Sequence, residues 1–86
     1  MRVLIPTPLR SYTAQRDRVE ASGATLNELL LDLDRQFPGI RFRMIDEHDQ
    51  IRTHMRFFLG SQELRELQTP LDAAQTLHIV QALSGG

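Results

Sequence analysis

The chain has no cysteine and no tryptophan, and its ten basic residues include no lysine. The first absence excludes disulfides, zinc–thiolate sites and thiol chemistry within the chain. The second leaves one tyrosine and four phenylalanines as the only aromatics, and no basic cluster interleaves with them. With a net charge of −1, no global field steers the chain toward nucleic acid or an anionic membrane. The third makes every base an arginine, which stays protonated and is not a nucleophile. No apolar run approaches the roughly 18 residues needed to span a bilayer. The opening Met1-Arg2-Val3-Leu4-Ile5-Pro6 is too short for a secretory signal and carries no cleavage motif, so a cytoplasmic location is expected.

Catalytic patterns are missing too. There is no Gly-x-Ser-x-Gly elbow to expose a nucleophile. Neither a Gly-x-Gly-x-x-Gly loop nor a P-loop is present to hold phosphates, and His-Glu-x-x-His and EF-hand spacings are absent. Asp46-Glu47-His48-Asp49, with His54 nearby, is the one cluster of metal-type residues. Adjacent residues converge poorly on one ion, so this stretch reads as a solvated loop. The chain reads as a non-enzyme.

What is present is one modest domain. Eighty-six residues bury somewhat over 60% of the unfolded surface, enough for a core without metal or disulfide support. Arg2 to Ile5 and Arg16 to Ala21 read as strands joined across a wide loop, Pro6 to Gln15, whose Thr7-Pro8 suits a short helical turn. The clearest local signal is Thr25-Leu26-Asn27-Glu28. Thr25 is the N-cap and Glu28 is positioned to reach back to its backbone N–H. Leu26, Leu29, Leu30, Leu33 and Phe37 then form one helical stripe, Leu31 lies off it, and Pro38-Gly39 closes a helix over 26–37.

Residues 40–53 read as irregular. Met55–Leu59 reads as a strand with Met55, Phe57 and Leu59 on one face and Arg56 and Phe58 on the other. Gly60-Ser61 turns the chain, Leu64 and Leu67 mark a short strand or loop, and Thr69-Pro70-Leu71-Asp72 turns it again. Thr76–Leu83 is the last strand, with Leu77 and Ile79 opposed to His78, Val80 and Ala82. One amphipathic helix and this strand order favour an α+β fold, a mixed sheet of four to five strands with the helix on one face. With the last strand central beside the first, that is the β-grasp arrangement. The helix stripe should face Val3, Ile5, Val19, Met55, Phe57, Leu59, Leu77 and Ile79. Arg56, Phe58, His78, Val80 and Ala82 then share the outward face, a partner-binding surface around Phe58 and Val80.

The domain is expected over 1–82, with a flexible tail over 83–86: Leu83-Ser84-Gly85-Gly86. Two terminal glycines remove both side chains, so the end of the chain can pass a channel too narrow for any Cβ. The carboxylate of Gly86 is its reactive group. Once activated, it would meet neither a lysine amine nor a cysteine thiol on its own chain.

Several stretches in order carry a family resemblance. These are Ile5-Pro6-Thr7-Pro8-Leu9-Arg10, Gly23-Ala24-Thr25-Leu26 with Leu29 and Leu30, Phe37-Pro38-Gly39, and Thr69-Pro70-Leu71. The last is Leu77-x-Ile79-Val80-x-Ala82-Leu83-Ser84-Gly85-Gly86. Over essentially the whole length the chain resembles the MoaD/ThiS family of ubiquitin-like sulfur carriers, and its two ends look most similar to the CysO-like branch. Two departures stand out. Gly60-Ser61 replaces a common Asn-Gly, and Ala73-Ala74-Gln75 replaces an acidic-Gly turn, which could loosen the last strand's register.

The resemblance implies a terminus activated at Gly86, with Gly85 threading the partner's active site. Phe58, Val80, Arg56, Ala82 and Leu83 would then bind the partner. It implies no bound cofactor; ATP and Mg²⁺ belong to an adenylating, ubiquitin-activating-like enzyme. The thiocarboxylate then formed would serve a sulfur-accepting synthase, such as a cysteine synthase or the large subunit of molybdopterin synthase. Two other readings stay open: a ubiquitin-like modifier joined to lysines through Gly86, and a non-catalytic β-grasp interaction domain with an inert tail.

Overall fold

In the computed structural model, which describes residues 1–82, Pro6 ends the first strand, β1 (Arg2–Leu4). The chain then winds through a 3₁₀ helix, Thr7–Thr13, with Pro8 in its first turn, and closes it on a left-handed Ala14 (φ 54°) whose N–H donates to the Arg10 carbonyl. The wide loop expected here is thus mostly helical. Buried Leu9 and Thr13 anchor it, and the Thr13 hydroxyl donates to the Arg16 carbonyl at 2.9 Å. β2 (Arg18–Glu20) returns antiparallel to β1, with Val3 opposite Val19.

α1 (Leu26–Gln36) begins at Thr25, whose Oγ1 accepts from the Glu28 N–H at 3.2 Å. Glu28 does not return to the Thr25 N–H as the capping box predicts. It accepts from the Ala24 N–H at 3.2 Å, one residue earlier. At the same entry the segment over 67–71 pairs with the helix start, where the Leu26 and Asn27 N–H groups donate to the Thr69 and Leu67 carbonyls at 3.0 and 2.8 Å. Donors that a helix start leaves open are thereby satisfied from a distant loop. Gly23 lies so close to α1 that a Cβ there would run into the Leu29 backbone nitrogen.

After α1 the irregular stretch forms one 3₁₀ turn, Arg41–Arg43, and a bridge between Ile45 and Ile51. β3 (Met55–Leu59), β4 (Gln62–Leu64) and β5 (Leu77–Gln81) complete the sheet. The order is β2-β1-β5-β3-β4, with β1 and β5 parallel and the other pairs antiparallel. This is the β-grasp fold, with β5 at the centre beside β1. All eight residues expected to face the helix, from Val3 to Ile79, are buried in one cluster with Leu26, Leu29, Leu30 and Leu33. Leu31 is 44% exposed, as its position off the stripe requires.

The strands are shorter than their sequence patterns: β2 spans three residues and β5 five. Apolar patterning extends past the last ladder hydrogen bond because side-chain burial continues where pairing stops. The Ala73-Ala74-Gln75 turn does not loosen β5. Asp72 accepts from the Ala74 and Gln75 N–H groups, and β5 pairs in regular register with β3 from Leu59↔Leu77 to Met55↔Gln81.

Candidate docking face and tail root

Alternation along β3 and β5 sends Arg56, Phe58, His78 and Val80 away from the helix. The register then decides which of them meet. Arg56 stands opposite Val80, and Phe58 opposite His78. His78 is also level with Leu4 on β1, Phe58 with Glu63 on β4, and Leu4 with Arg18 on β2. A single row, Arg18–Leu4–His78–Phe58–Glu63, therefore crosses all five strands. Directly opposed side chains have Cβ atoms about 4.5–5.5 Å apart, so Leu4, His78 and Phe58 form a continuous surface. Val80 sits diagonally beside Phe58 and is 42% exposed. Phe58 is half-buried.

Arg56 is less free than its exposed position implies. Its Nη1 donates to Glu63 at 3.3 Å, and Arg65 approaches the same carboxylate at 3.4 Å. The apolar centre is thus bounded on the β4 side by a charged cluster, the arrangement of a core and rim. Leu4 joins this row, although the sequence alone did not place it on the face. Its parity with Arg2 was visible in the sequence, but the parallel pairing that sets it beside His78 was not.

β5 delivers the chain to Ala82, which is exposed and whose N–H donates to the His54 carbonyl at 2.8 Å. The body therefore holds the strand up to the root of the tail. Leu83, Gly85 and Gly86 lie outside the described residues.

The acidic loop has a structural use. The Asp46 carboxylate accepts from the Gln50 and His48 N–H groups at 3.0 and 2.8 Å. The Gln50 bond first, then the His48 bond and the nearby His48 and Arg52 charges, hold its pKa below the ordinary value against desolvation. Asp46 thus staples its own turn, and among the described residues no three metal-type side chains are grouped closely enough to hold an ion. No helix among those residues is long and apolar enough to cross a membrane.

Comparison with known proteins agrees along the length of the chain. The family model described as the ThiS family matches residues 3–86. The sulfur carrier protein CysO of Mycobacterium tuberculosis is 30% identical, the alignment covering 98% of this chain and 96% of that protein. Among solved structures, the Amycolatopsis orientalis BexX/CysO complex contains a chain that superposes with a TM-score of 0.91 at 31% identity, covering 99% of this chain and 98% of that one. Mycobacterium tuberculosis CysO superposes with a TM-score of 0.89 at 28% identity, over 95% and 98%.

Proposed function

Since the chain belongs to the ThiS family, we propose that it is a sulfur carrier whose Gly86 carboxylate is the working group. The observation that carries this reading is the family match running through residue 86, so that it includes the Gly-Gly end. A carboxylate is a poor electrophile and has to be activated. In the proposed sequence an adenylating enzyme uses ATP and Mg²⁺: a Gly86 carboxylate oxygen attacks the α-phosphorus and pyrophosphate leaves. A sulfide donor then attacks the acyl carbon, AMP departs, and the product is a thiocarboxylate at Gly86. That sulfur is nucleophilic and passes to a sulfur-accepting synthase.

The chain acts as the substrate and handle in these steps. Gly85 and Gly86 present no side chain to the enzyme's channel. The row Leu4–His78–Phe58, with Val80 and the Arg56–Glu63 pair, gives the partner a fixed surface to grip, and Ala82 and Leu83 connect the two. The absence of lysine and cysteine keeps the activated acyl group from capture by its own side chains.

Intact-mass spectrometry tests the reading. Incubated with the adenylating enzyme, ATP, Mg²⁺ and sulfide, the protein should gain the mass of sulfur minus that of oxygen. A chain carrying one further residue after Gly86 should gain nothing while melting at the same temperature. An unshifted mass for the unaltered protein would overturn the proposal.

A further inference from the structure

Beside the tail root lies a second feature, a pocket of about 180 Å³ lined by Phe42, Arg43, Arg52, His54 and Gln81. We propose that it receives an acidic chain segment of the adenylating enzyme: a carboxylate held by Arg43 and Arg52, and an adjoining backbone N–H donated to Gln81. The assignment rests on the carrier reading and names a contact that reading leaves open.

Position is the first reason. The carbonyl of His54 holds the Ala82 N–H at 2.8 Å, and Gln81 is the last residue of β5. Any protein that draws in the tail passes this wall, so the pocket is continuous with the contact that adenylation itself requires. Charge is the second. Arg43 makes no ion pair among the described residues. Arg52 is held in place by a neutral platform: its Nε donates to the Phe42 carbonyl at 2.8 Å, and its guanidinium lies 4.7 Å from the centre of the Phe42 ring. A guanidinium fixed by stacking keeps its outer N–H fork for a carboxylate. Asp46, whose carboxylate feels the Arg52 charge, has its Oδ1 occupied by two backbone N–H groups of its own turn.

An unsatisfied group completes the set. Gln81 Oε1 is buried without a hydrogen-bond partner among the described residues, and buried acceptors are almost always paired. It needs a donor, whereas the arginines need an acceptor. A peptide segment with an acidic side chain supplies both. At about 180 Å³ the pocket is smaller than the roughly 300–1,000 Å³ usual for small-molecule sites and suits a side chain. Phe42, 56% exposed, is thereby explained as the support for Arg52.

Steady-state thiocarboxylate formation with the purified adenylating enzyme decides the matter. Arg43→Glu with Arg52→Glu should raise KM for the carrier about tenfold or more, since opposed like charges at an interface are costly, and leave kcat within about twofold. Because Arg52 also holds the Phe42 carbonyl, Arg43→Glu alone, at an unchanged melting temperature, should still raise KM severalfold. Added salt should raise the KM of the unaltered protein and lower that of the double variant, whose like-charge repulsion it screens. Gln81→Leu, which removes the acceptor, should raise KM without changing salt dependence. An unchanged KM in Arg43→Glu, with the unaltered protein turning over normally, would sink this assignment and leave the carrier reading standing. No sulfur gain by the unaltered protein would overturn both.

Discussion

The two faces of β3 and β5 are made by the same ten residues in alternation, yet they do opposite work. Met55, Phe57, Leu59, Leu77 and Ile79 are sealed under α1 and none is more than 8% exposed. Phe58, His78 and Val80 stand on the other side, half-buried or open to solvent. Inward residues convert area removed from water into stability, at about 25 cal/mol per Å². Outward residues have no such burial in the free chain, so their apolar surface stays available for a partner. The difference shows that two adjacent phenylalanines, Phe57 and Phe58, separate cleanly in role because strand parity puts one atom layer between them.

Breaking that comparison starts with the core. Phe57→Ala should cost about 3–5 kcal/mol of stability in chemical denaturation, because the cavity lies under the helix. Phe58→Ala should cost well under half as much; equal losses would mean that the outward face is structural. Gly23→Ala comes next. Its Cβ meets helix backbone rather than a flexible side chain, so overpacking should cost about 1–3 kcal/mol. On the outward face, Val80→Asp should weaken engagement of the adenylating enzyme about tenfold, roughly 1.4 kcal/mol, at nearly unchanged melting temperature. At the helix entry, Thr25→Ala should remove about 1 kcal/mol.

The smallest effect is a pH dependence. Asp32 has its pKa lowered from the ordinary 3.8, chiefly by the Arg35 side chain and then by the Ser22 N–H. A depressed folded pKa means that the contribution is complete above 3.8 and is lost as pH falls through the lower folded value. Asp32→Asn should therefore lower the neutral side of the melting-temperature curve slightly and leave its acid end almost unmoved, flattening the fall between them. The carboxylate lies at the solvent edge and its Arg35 partner is 75% exposed, so screening keeps the change slight.

Much of this was legible before any coordinates. Leu26, Leu29, Leu30 and Leu33 repeat at a spacing only a helix satisfies, and Thr25 marks its start. Met55, Phe57 and Leu59 alternate as only a half-buried strand does. The face holding Phe58 and Val80 follows from the same period. The partners across that face were not legible. Phe58 stands opposite His78, Val80 opposite Arg56, and Leu4 beside His78 only because β1 and β5 run parallel. Register depends on pairings between residues far apart in sequence. The stretch over 40–53 was least readable: its apolar residues show no steady period, so nothing local sets exposed Phe42 apart from buried Ile40 and Met44.

By itself, then, the sequence determined the elements, the side of each strand that is buried, and a set of functional groups without lysine or cysteine. Those properties are local, set by periodicity, capping and the inventory of functional groups. Tertiary structure decided the rest. The Leu67–Thr69 carbonyls cap α1, the row from Arg18 to Glu63 assembles across five strands, and Arg52 stacks on Phe42 beside the root of the tail. Each joins residues that no local pattern connects, and only the packing of the helix on the sheet brings them within reach.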